Sequence, residues 1–296
     1  MPERCAFYQE GKAENAQGES PDLDGQTRFF WTGDTLGTDD LMRVAARGRP
    51  LTLAFLGDSD AGKTSFLVTM YLHLVRGNPI GELRFAGSWT LGGWEALAAK
   101  MRWSGTEPPG FPPHTPRGQA RRPGLLHLAL RNAQGTLVDV LFADAPGEWF
   151  ERWSVDRNAP EAEGARWLEA YADAAVVFLD SKRLSDPARR GSTRTKALQL
   201  LTRVADAYDN RPWRAVWSKH DQFQDNPTAT VVAGHLTRLN PNAAFHIVSA
   251  NVDQPARGVI ETVTWLISEA QRGLHAPPPV PNVSVPSGLL SFRRDT

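Results

Sequence analysis

Two patterns of apolar residues alternate along the middle of this chain. Short apolar runs predict buried strands, and segments in which apolar residues recur every three or four positions predict amphipathic helices. The predicted strands span residues 51–56, 125–131, 136–143, 174–179, 215–217 and 245–248. The predicted helices span residues 63–76, 91–103, 194–208 and 256–272. This alternation predicts an α/β fold whose sheet is mostly parallel, with one antiparallel hairpin closed by Asn-Ala-Gln-Gly at 132–135.

The two ends of the chain differ in character from the middle. Residues 1–48 are polar and rich in glycine, with one apolar cluster at 29–31, and are predicted to form an N-terminal arm. Residues 49–273 are the predicted main domain, which carries an insertion at about 77–124 with one helix and a proline-rich loop at 106–122. Residues 274–296 contain five prolines and are predicted to form an extended C-terminal tail.

Composition and charge exclude several classes of protein. The 296 residues include 33 basic and 33 acidic side chains, and this balance argues against a surface dedicated to DNA or RNA. The single cysteine cannot form an internal disulfide, which excludes a disulfide-stapled secreted scaffold. The N-terminus lacks the apolar core of a signal peptide, and no apolar run is long enough to span a membrane. We therefore expect a soluble cytoplasmic protein.

A complete phosphate-loop motif follows the first predicted strand. Residues 57–64, Gly-Asp-Ser-Asp-Ala-Gly-Lys-Thr, match the pattern G-x-x-x-x-G-K-[ST] at the point where a helix begins. The backbone amides of such a loop and the positive end of the helix bind phosphate. We expect Lys63 to reach the β- and γ-phosphates and the Thr64 hydroxyl to bind Mg²⁺. The remaining predicted phosphate-binding residues are Gly57, Asp58, Ser59, Asp60, Ala61, Gly62 and Ser65.

A second motif, Asp-Ala-Pro-Gly-Glu at 144–148, ends the strand predicted at 136–143. An aspartate at the carboxyl end of a strand beside the phosphate loop can hold hydrated Mg²⁺, so Asp144 is the second predicted metal ligand. Gly147 can bring its backbone amide close to a γ-phosphate because it has no side chain. Taken alone, Asp144 is also compatible with an ordinary turn after a strand.

The residues after the last two predicted strands suit a purine base. Ser218, Lys219 and Asp221 follow residues 215–217, and a carboxylate at Asp221 can accept two hydrogen bonds from the N1–H and N2–H₂ groups of guanine. Residues 249–251, Ser249, Ala250 and Asn251, follow the last strand, where the amide of Ala250 could bond the guanine oxygen. The alternative for Lys219 and Asp221 is an exposed ion pair in a loop.

In chain order these motifs, GDSDAGKT, DAPGE, SKHD and SAN, resemble those of translation-factor-related and Ras-like P-loop GTPases over roughly residues 50–273. The stretches RFAGSWTL at 84–91 and DAPGEWF at 144–150 resemble more narrowly the bacterial double-GTPase group. The resemblance implies the three-layer P-loop NTPase fold of Ras-like proteins, binding of GTP and GDP with Mg²⁺, and GTP hydrolysis. It also implies a nucleotide-gated part in a multi-component defence or signalling system.

Three positions depart from the pattern of those GTPases. Ser218 replaces the usual asparagine of the guanine motif, which braces the phosphate loop, and we expect weaker nucleotide affinity as a result. Glu148 stands where Ras-like enzymes orient water with glutamine, so it is a candidate catalytic residue, or alternatively an ion-pair partner, and hydrolysis is expected to be slow without a partner. Asp60 stands where some cation-dependent GTPases carry an asparagine that helps to hold K⁺; a solvent-facing loop residue is the alternative.

Two segments are the predicted switches, 104–122 and 145–160, and a protein partner is expected to bind through them and through the insertion. Thr115 is the preferred switch threonine, as a metal ligand and catalytic residue, with Thr106 as the second choice. Three arginines of the first segment could supply a catalytic cation or simply form a solvated basic loop: Arg117, Arg121 and Arg122. Two further functions stay open, a weakly hydrolysing nucleotide-dependent scaffold and an ATP-using P-loop protein.

Overall fold

The computed structural model describes residues 35–99, 101–102, 110, 124–222, 227–240, 246–248 and 256–275. Residues 1–34, nearly all of the proline-rich loop and residues 276–296 lie outside this described part of the chain. Among the described helices, none is long and apolar enough to cross a membrane.

The described residues form one seven-stranded sheet. Its strands are β1 (Leu51–Gly57), β2 (Arg84–Gly87), β3 (Gly124–Arg131), β4 (Leu137–Asp144), β5 (Ala174–Asp180), β6 (Trp213–Ser218) and β7 (His246–Val248). Their order is β2-β3-β4-β1-β5-β6-β7. Within this described sheet β3 alone runs opposite to its neighbours, and the remaining pairs are parallel. The predicted α/β fold with a mostly parallel sheet and one antiparallel hairpin strand is confirmed.

Helices cover both faces of the sheet. They are α1 (Leu41–Val44), α2 (Lys63–Val75), α3 (Leu91–Ala99), α4 (Gly147–Val155), α5 (Glu163–Tyr171), α6 (Ser181–Ser185), α7 (Arg190–Ala207), α8 (Pro227–Leu239) and α9 (Ala256–His275). Short 3₁₀ segments span Thr38–Asp40, Ala45–Arg47, Pro160–Ala162 and His220–Gln222.

The main core lies on the face covered by α2, α3 and α9, where buried side chains of these helices meet one side of the central strands. Phe55, Phe66 and Phe178 lie at its centre, with ring centroids 5.3 to 6.2 Å apart. Helices α4 to α8 belong to the opposite face, where Trp153 on α4 and Tyr208, the residue after α7, are fully buried. Strand β1 is buried along its whole length because helices cover it on both faces.

The register of the parallel strands brings four strand ends together. Ala54 on β1 pairs with Ala143 on β4, one residue before Asp144, and Gly57 pairs with Phe178 on β5. Farther along the sheet, Asp180 on β5 pairs with Ser218 on β6. The carboxyl ends of β1, β4, β5 and β6 therefore lie at one edge of the sheet, the edge where open α/β sheets bind ligands.

The insertion contains an element that the sequence pattern did not predict. Strand β2 pairs with β3, but most of its side chains are exposed, so it lacks the apolar alternation that marks a half-buried strand. Helix α3 begins at Leu91 as predicted, and the Leu91 side chain is 44% exposed. The buried residues of α3 are Gly93, Trp94 and Ala98, which form the stripe that faces the core.

Trp94 anchors this helix to the core. Its ring stacks on Tyr71 with centroids 5.2 Å apart and an interplanar angle of 12°, and its indole nitrogen donates to the carbonyl of His127 at 2.9 Å. We expect Trp94→Ala to lower the free energy of unfolding by about 3–5 kcal/mol, because it empties a fully buried site. Urea denaturation measures this change. Leu91→Ala on the same helix is the matched control, with an expected loss below about 0.5 kcal/mol; equal losses would contradict the packing of α3 described here.

Candidate functional site

The phosphate loop leaves the carboxyl end of β1 and enters α2 at the edge defined above. Asp60 and Gly62 have positive φ values of 63° and 91°, so the loop turns back on itself immediately before the helix. Gly62 is the residue before α2, and a side chain there would be strained in this left-handed conformation. Within the loop, the amide of Ser59 donates to the carboxylate of Asp58 at 2.8 Å and Ala61 is buried.

Lys63 folds over the loop from the first turn of α2. Its ammonium group donates to the carbonyl oxygens of Gly57 at 3.0 Å and Asp58 at 2.8 Å and lies 5.9 Å from the ring centre of Phe150. Burial lowers the pKa of Lys63 from 10.5 to about 8. Four nearby carboxylates oppose this lowering, those of Asp144, Asp58, Glu148 and Asp60. A buried cation is thus held at the centre of the loop by backbone dipoles and nearby negative charge.

Thr64 and Asp144 meet beside this lysine. The Thr64 hydroxyl donates to the Asp144 carboxylate at 3.1 Å, joining the first turn of α2 to the end of β4. A hydroxyl oxygen and a carboxylate oxygen are the hard ligands that Mg²⁺ prefers. Among the described residues, no group of three or more His, Cys, Asp or Glu side chains could hold a metal ion without further ligands. The pair therefore suits a metal that takes its remaining ligands from phosphate and water.

Gly147, the first residue of α4, lies directly against the phosphate loop. A β-carbon placed on Gly147 would be 2.0 Å from the Ser59 nitrogen and 2.4 Å from the Asp58 carbonyl carbon. These are backbone atoms, so this close approach is possible only for glycine. Glu148 follows in the first turn of α4 and is half-buried. The predicted switch segment 145–160 therefore contains helix α4, whose first residue packs on the phosphate loop.

The residues of the predicted base motif begin at the end of β6. Ser218 is buried and its hydroxyl donates to the carbonyl of Leu179 at 3.2 Å. Lys219 has a positive φ of 53°, and its ammonium group lies 2.7 Å from the carboxylate of Asp180 at the end of β5. Asp221 is exposed in the 3₁₀ segment that follows. The structure therefore gives Lys219 a partner on the neighbouring strand.

The remaining predicted residues fall elsewhere. Ser65 lies in the first turn of α2, where its carbonyl accepts a hydrogen bond from the Thr69 hydroxyl at 2.8 Å. Residues outside the described part of the chain are Thr106, Thr115, Arg117, Arg121, Arg122, Ser249, Ala250 and Asn251. Their predicted roles stay predictions.

Two basic residues that the sequence analysis did not single out contact the phosphate loop. Arg183 on α6 lies 3.2 Å from Asp58 and 3.1 Å from Asp60. Lys196 on α7 lies 3.9 Å from Asp58 and 2.8 Å from Glu151 on α4. The two aspartates of the phosphate loop indicated that basic side chains should lie nearby, because uncompensated negative charge would weaken anion binding. The spacing of residues in the sequence does not identify which basic side chains these are.

Comparison with known proteins identifies a family for most of the chain. Residues 51–266 match the family model described as Double-GTPase 2. No curated protein matches the chain.

Two solved structures of GTP-binding proteins are similar to this one. A protein assigned as nucleolar GTP-binding protein 1 from Plasmodium falciparum is 11% identical, with a TM-score of 0.42 over 76% of this chain and 88% of that one. A variant of Era from Aquifex aeolicus, bound to GDP and AlF4⁻, is 14% identical, with a TM-score of 0.35 over 73% of this chain. The similarity spans 56% of that Era chain.

The contact of Gly147 with the loop generates a testable expectation. Gly147→Ala should lower the free energy of unfolding by more than about 2 kcal/mol, because the new methyl group would overlap backbone atoms that cannot turn aside. Gly234→Ala is the matched control, since a β-carbon there meets nothing within 4 Å inside α8. The control should be neutral or raise stability by up to about 1 kcal/mol. Chemical denaturation of both variants measures the difference, and a neutral Gly147→Ala would contradict the close approach.

Proposed function

We propose that this chain, which belongs to the Double-GTPase 2 family, is a guanine-nucleotide switch that binds GTP and GDP with Mg²⁺ and hydrolyses GTP to GDP and phosphate. One observation carries the proposal: Lys63, Thr64 and Asp144 converge at the carboxyl edge of a parallel sheet, with Thr64 and Asp144 in direct contact. This arrangement joins a phosphate-binding cation to two oxygen ligands.

The phosphate loop supplies the binding energy for the phosphates. In this proposal the loop amides and the N-terminal end of α2 bind the phosphate oxygens, and Lys63 exchanges its carbonyl partners for the β- and γ-phosphates. The two carbonyl contacts of Lys63 support this, because they hold the ammonium group inside the loop through neutral acceptors that a phosphate oxygen can replace.

Thr64 and Asp144 would hold Mg²⁺, which when bound neutralises charge on the β- and γ-phosphates. Thr64 would bind through its hydroxyl oxygen, and Asp144 would fix the hydrated side of the ion. Thr115 remains the proposed ligand from the first switch segment. Each of these side chains acts by positioning an oxygen atom, so removing one changes metal dependence more than folding.

Glu148 is the proposed residue for water positioning. It lies in the first turn of α4, immediately after the glycine that contacts the phosphate loop, and its charge acts on Lys63. A carboxylate at this place can orient a water molecule or accept its proton, but it also repels the γ-phosphate. We therefore propose slow hydrolysis that a protein partner accelerates.

Asp221, with Lys219 and the backbone of Ala250, is the proposed guanine site. The position of Asp221 after β6, the strand next to β5, supports a base pocket beside the phosphate loop. We further propose that segments 104–122 and 145–160 change conformation with the bound nucleotide. In this proposal a protein partner in a defence or signalling system binds these segments. A weakly hydrolysing scaffold and an ATP-using protein are the alternatives that the next two experiments address.

Base choice is tested by competition. The wild-type protein should bind GTP and GDP at least about 100-fold more tightly than ATP, because adenine lacks the N1–H and N2–H₂ donor pair that Asp221 accepts. Asp221→Asn should weaken GTP binding and favour xanthosine triphosphate, whose base presents an acceptor at that edge. Fluorescence titration measures these affinities. Equal affinity for ATP and GTP would contradict the base assignment.

Hydrolysis is tested in a single turnover. Purified protein loaded with GTP should release phosphate in the presence of Mg²⁺ and stop when the metal is removed by chelation. Glu148→Ala should slow this release by at least about tenfold while leaving the dissociation constant for GTP within a few fold, since the side chain acts on water. Phosphate release that is undetectable in the wild type, with tight GTP binding, would favour the scaffold function.

A further inference from the structure

The phosphate loop, the proposed binding site of the triphosphate, carries two negative side chains of its own. Asp58 and Asp60 both lie between the two glycines of the motif, and both are partly exposed, at 27% and 38%. A like charge within several ångströms disfavours an anion in proportion to its charge. Left without nearby cations, these two carboxylates would oppose the attraction that the loop amides and Lys63 provide.

Arg183 lies against both of these carboxylates at once. One terminal nitrogen is 3.2 Å from Asp58 and the other is 3.1 Å from Asp60, so the planar guanidinium group bridges two positions of the loop. Its side chain is only 21% exposed, which limits screening by solvent. The arginine is also fixed at its own backbone, because its amide donates to the Asp180 carboxylate at 2.9 Å.

Asp180 connects this arginine to the predicted base motif. The Asp180 side chain is almost fully buried and lies 3.7 Å from the Nε atom of Arg183 and 2.7 Å from the Lys219 ammonium group. A continuous row of alternating charges therefore runs from the phosphate loop to the residue before His220 and Asp221. These contacts on both sides of Arg183 hold its guanidinium group against the loop.

We propose that Arg183 is a positioning residue that balances the charge of Asp58 and Asp60 and thereby sets the affinity of the phosphate loop for GTP. Lys196 contributes from the other side of Asp58, at 3.9 Å, and shares its charge with Glu151 on α4. The inference rests on the proposed function, because it concerns the same nucleotide site. In this inference the basic residues of α6 and α7 influence the affinity for GTP, whereas Lys63 and Glu148 act in the proposed GTP hydrolysis.

Charge compensation provides the test. Arg183→Ala should raise the dissociation constant for GTP by about tenfold at low ionic strength, and that for GDP by less, because GTP carries more negative charge. Adding Asp60→Asn to Arg183→Ala restores the wild-type net charge of the group formed by positions 58, 60 and 183, and should return the dissociation constant for GTP to within about twofold of wild type. Asparagine suits position 60 because it tolerates the positive φ found there. Raising the salt concentration should shrink the effect of Arg183→Ala.

Arg189→Ala is the matched control, since Arg189 is exposed and its ion pair is with Asp186, away from the loop. It should leave both constants unchanged, and thermal unfolding of every variant checks that the fold is kept. Equal losses for GTP and GDP without rescue by Asp60→Asn would overturn the inference in favour of a structural arginine. An unchanged dissociation constant with slower phosphate release would overturn it in favour of a catalytic arginine. Failure of the wild type itself to bind GTP would instead contradict the proposed function, and the inference with it.

Discussion

The parallel pairing of β1 with β4 on one side and β5 on the other is the constraint on which the site depends. It places the end of β1, where the phosphate loop begins, between Asp144 and Asp180. The pairing is stabilised by burial of β1 on both faces, so the loop is anchored to a fully buried strand. A flexible loop of this length would otherwise lose considerable entropy on closing around a ligand.

Much of this arrangement could be predicted from the sequence, for identifiable reasons. The central strands are continuous apolar runs, and helix α2 begins at Lys63 within a motif whose spacing is set by its geometry. Where the pattern was weak, the prediction failed: β2 is an exposed edge strand, and α4 and α5 were not predicted as helices although Phe150 and Trp153 have helical spacing.

The ion pairs between Arg183 and the phosphate loop could not be predicted from the sequence. Arg183 lies more than 120 positions from Asp58 and Asp60, and nothing in local spacing distinguishes it from the neighbouring basic residues of α6 and α7. Only the register of β5 beside β1 brings α6 to the loop. Conversely, the contact of Thr64 with Asp144 could be anticipated, because each residue belongs to a motif tied to a strand end. Ion pairs between distant residues can be identified only from the three-dimensional structure, whereas contacts between residues of known motifs can be predicted from the sequence.

Helix α4 is linked to the phosphate loop at two positions that are one helical turn apart, once by direct contact and once through Lys196. Gly147 abuts the loop backbone, and Glu151, four residues later, holds Lys196 beside Asp58. Because positions i and i+4 share one face of a helix, a rotation of α4 separates both contacts together. Helix α4 is therefore coupled to the phosphate-binding backbone in two ways, sterically through Gly147 and electrostatically through Lys196.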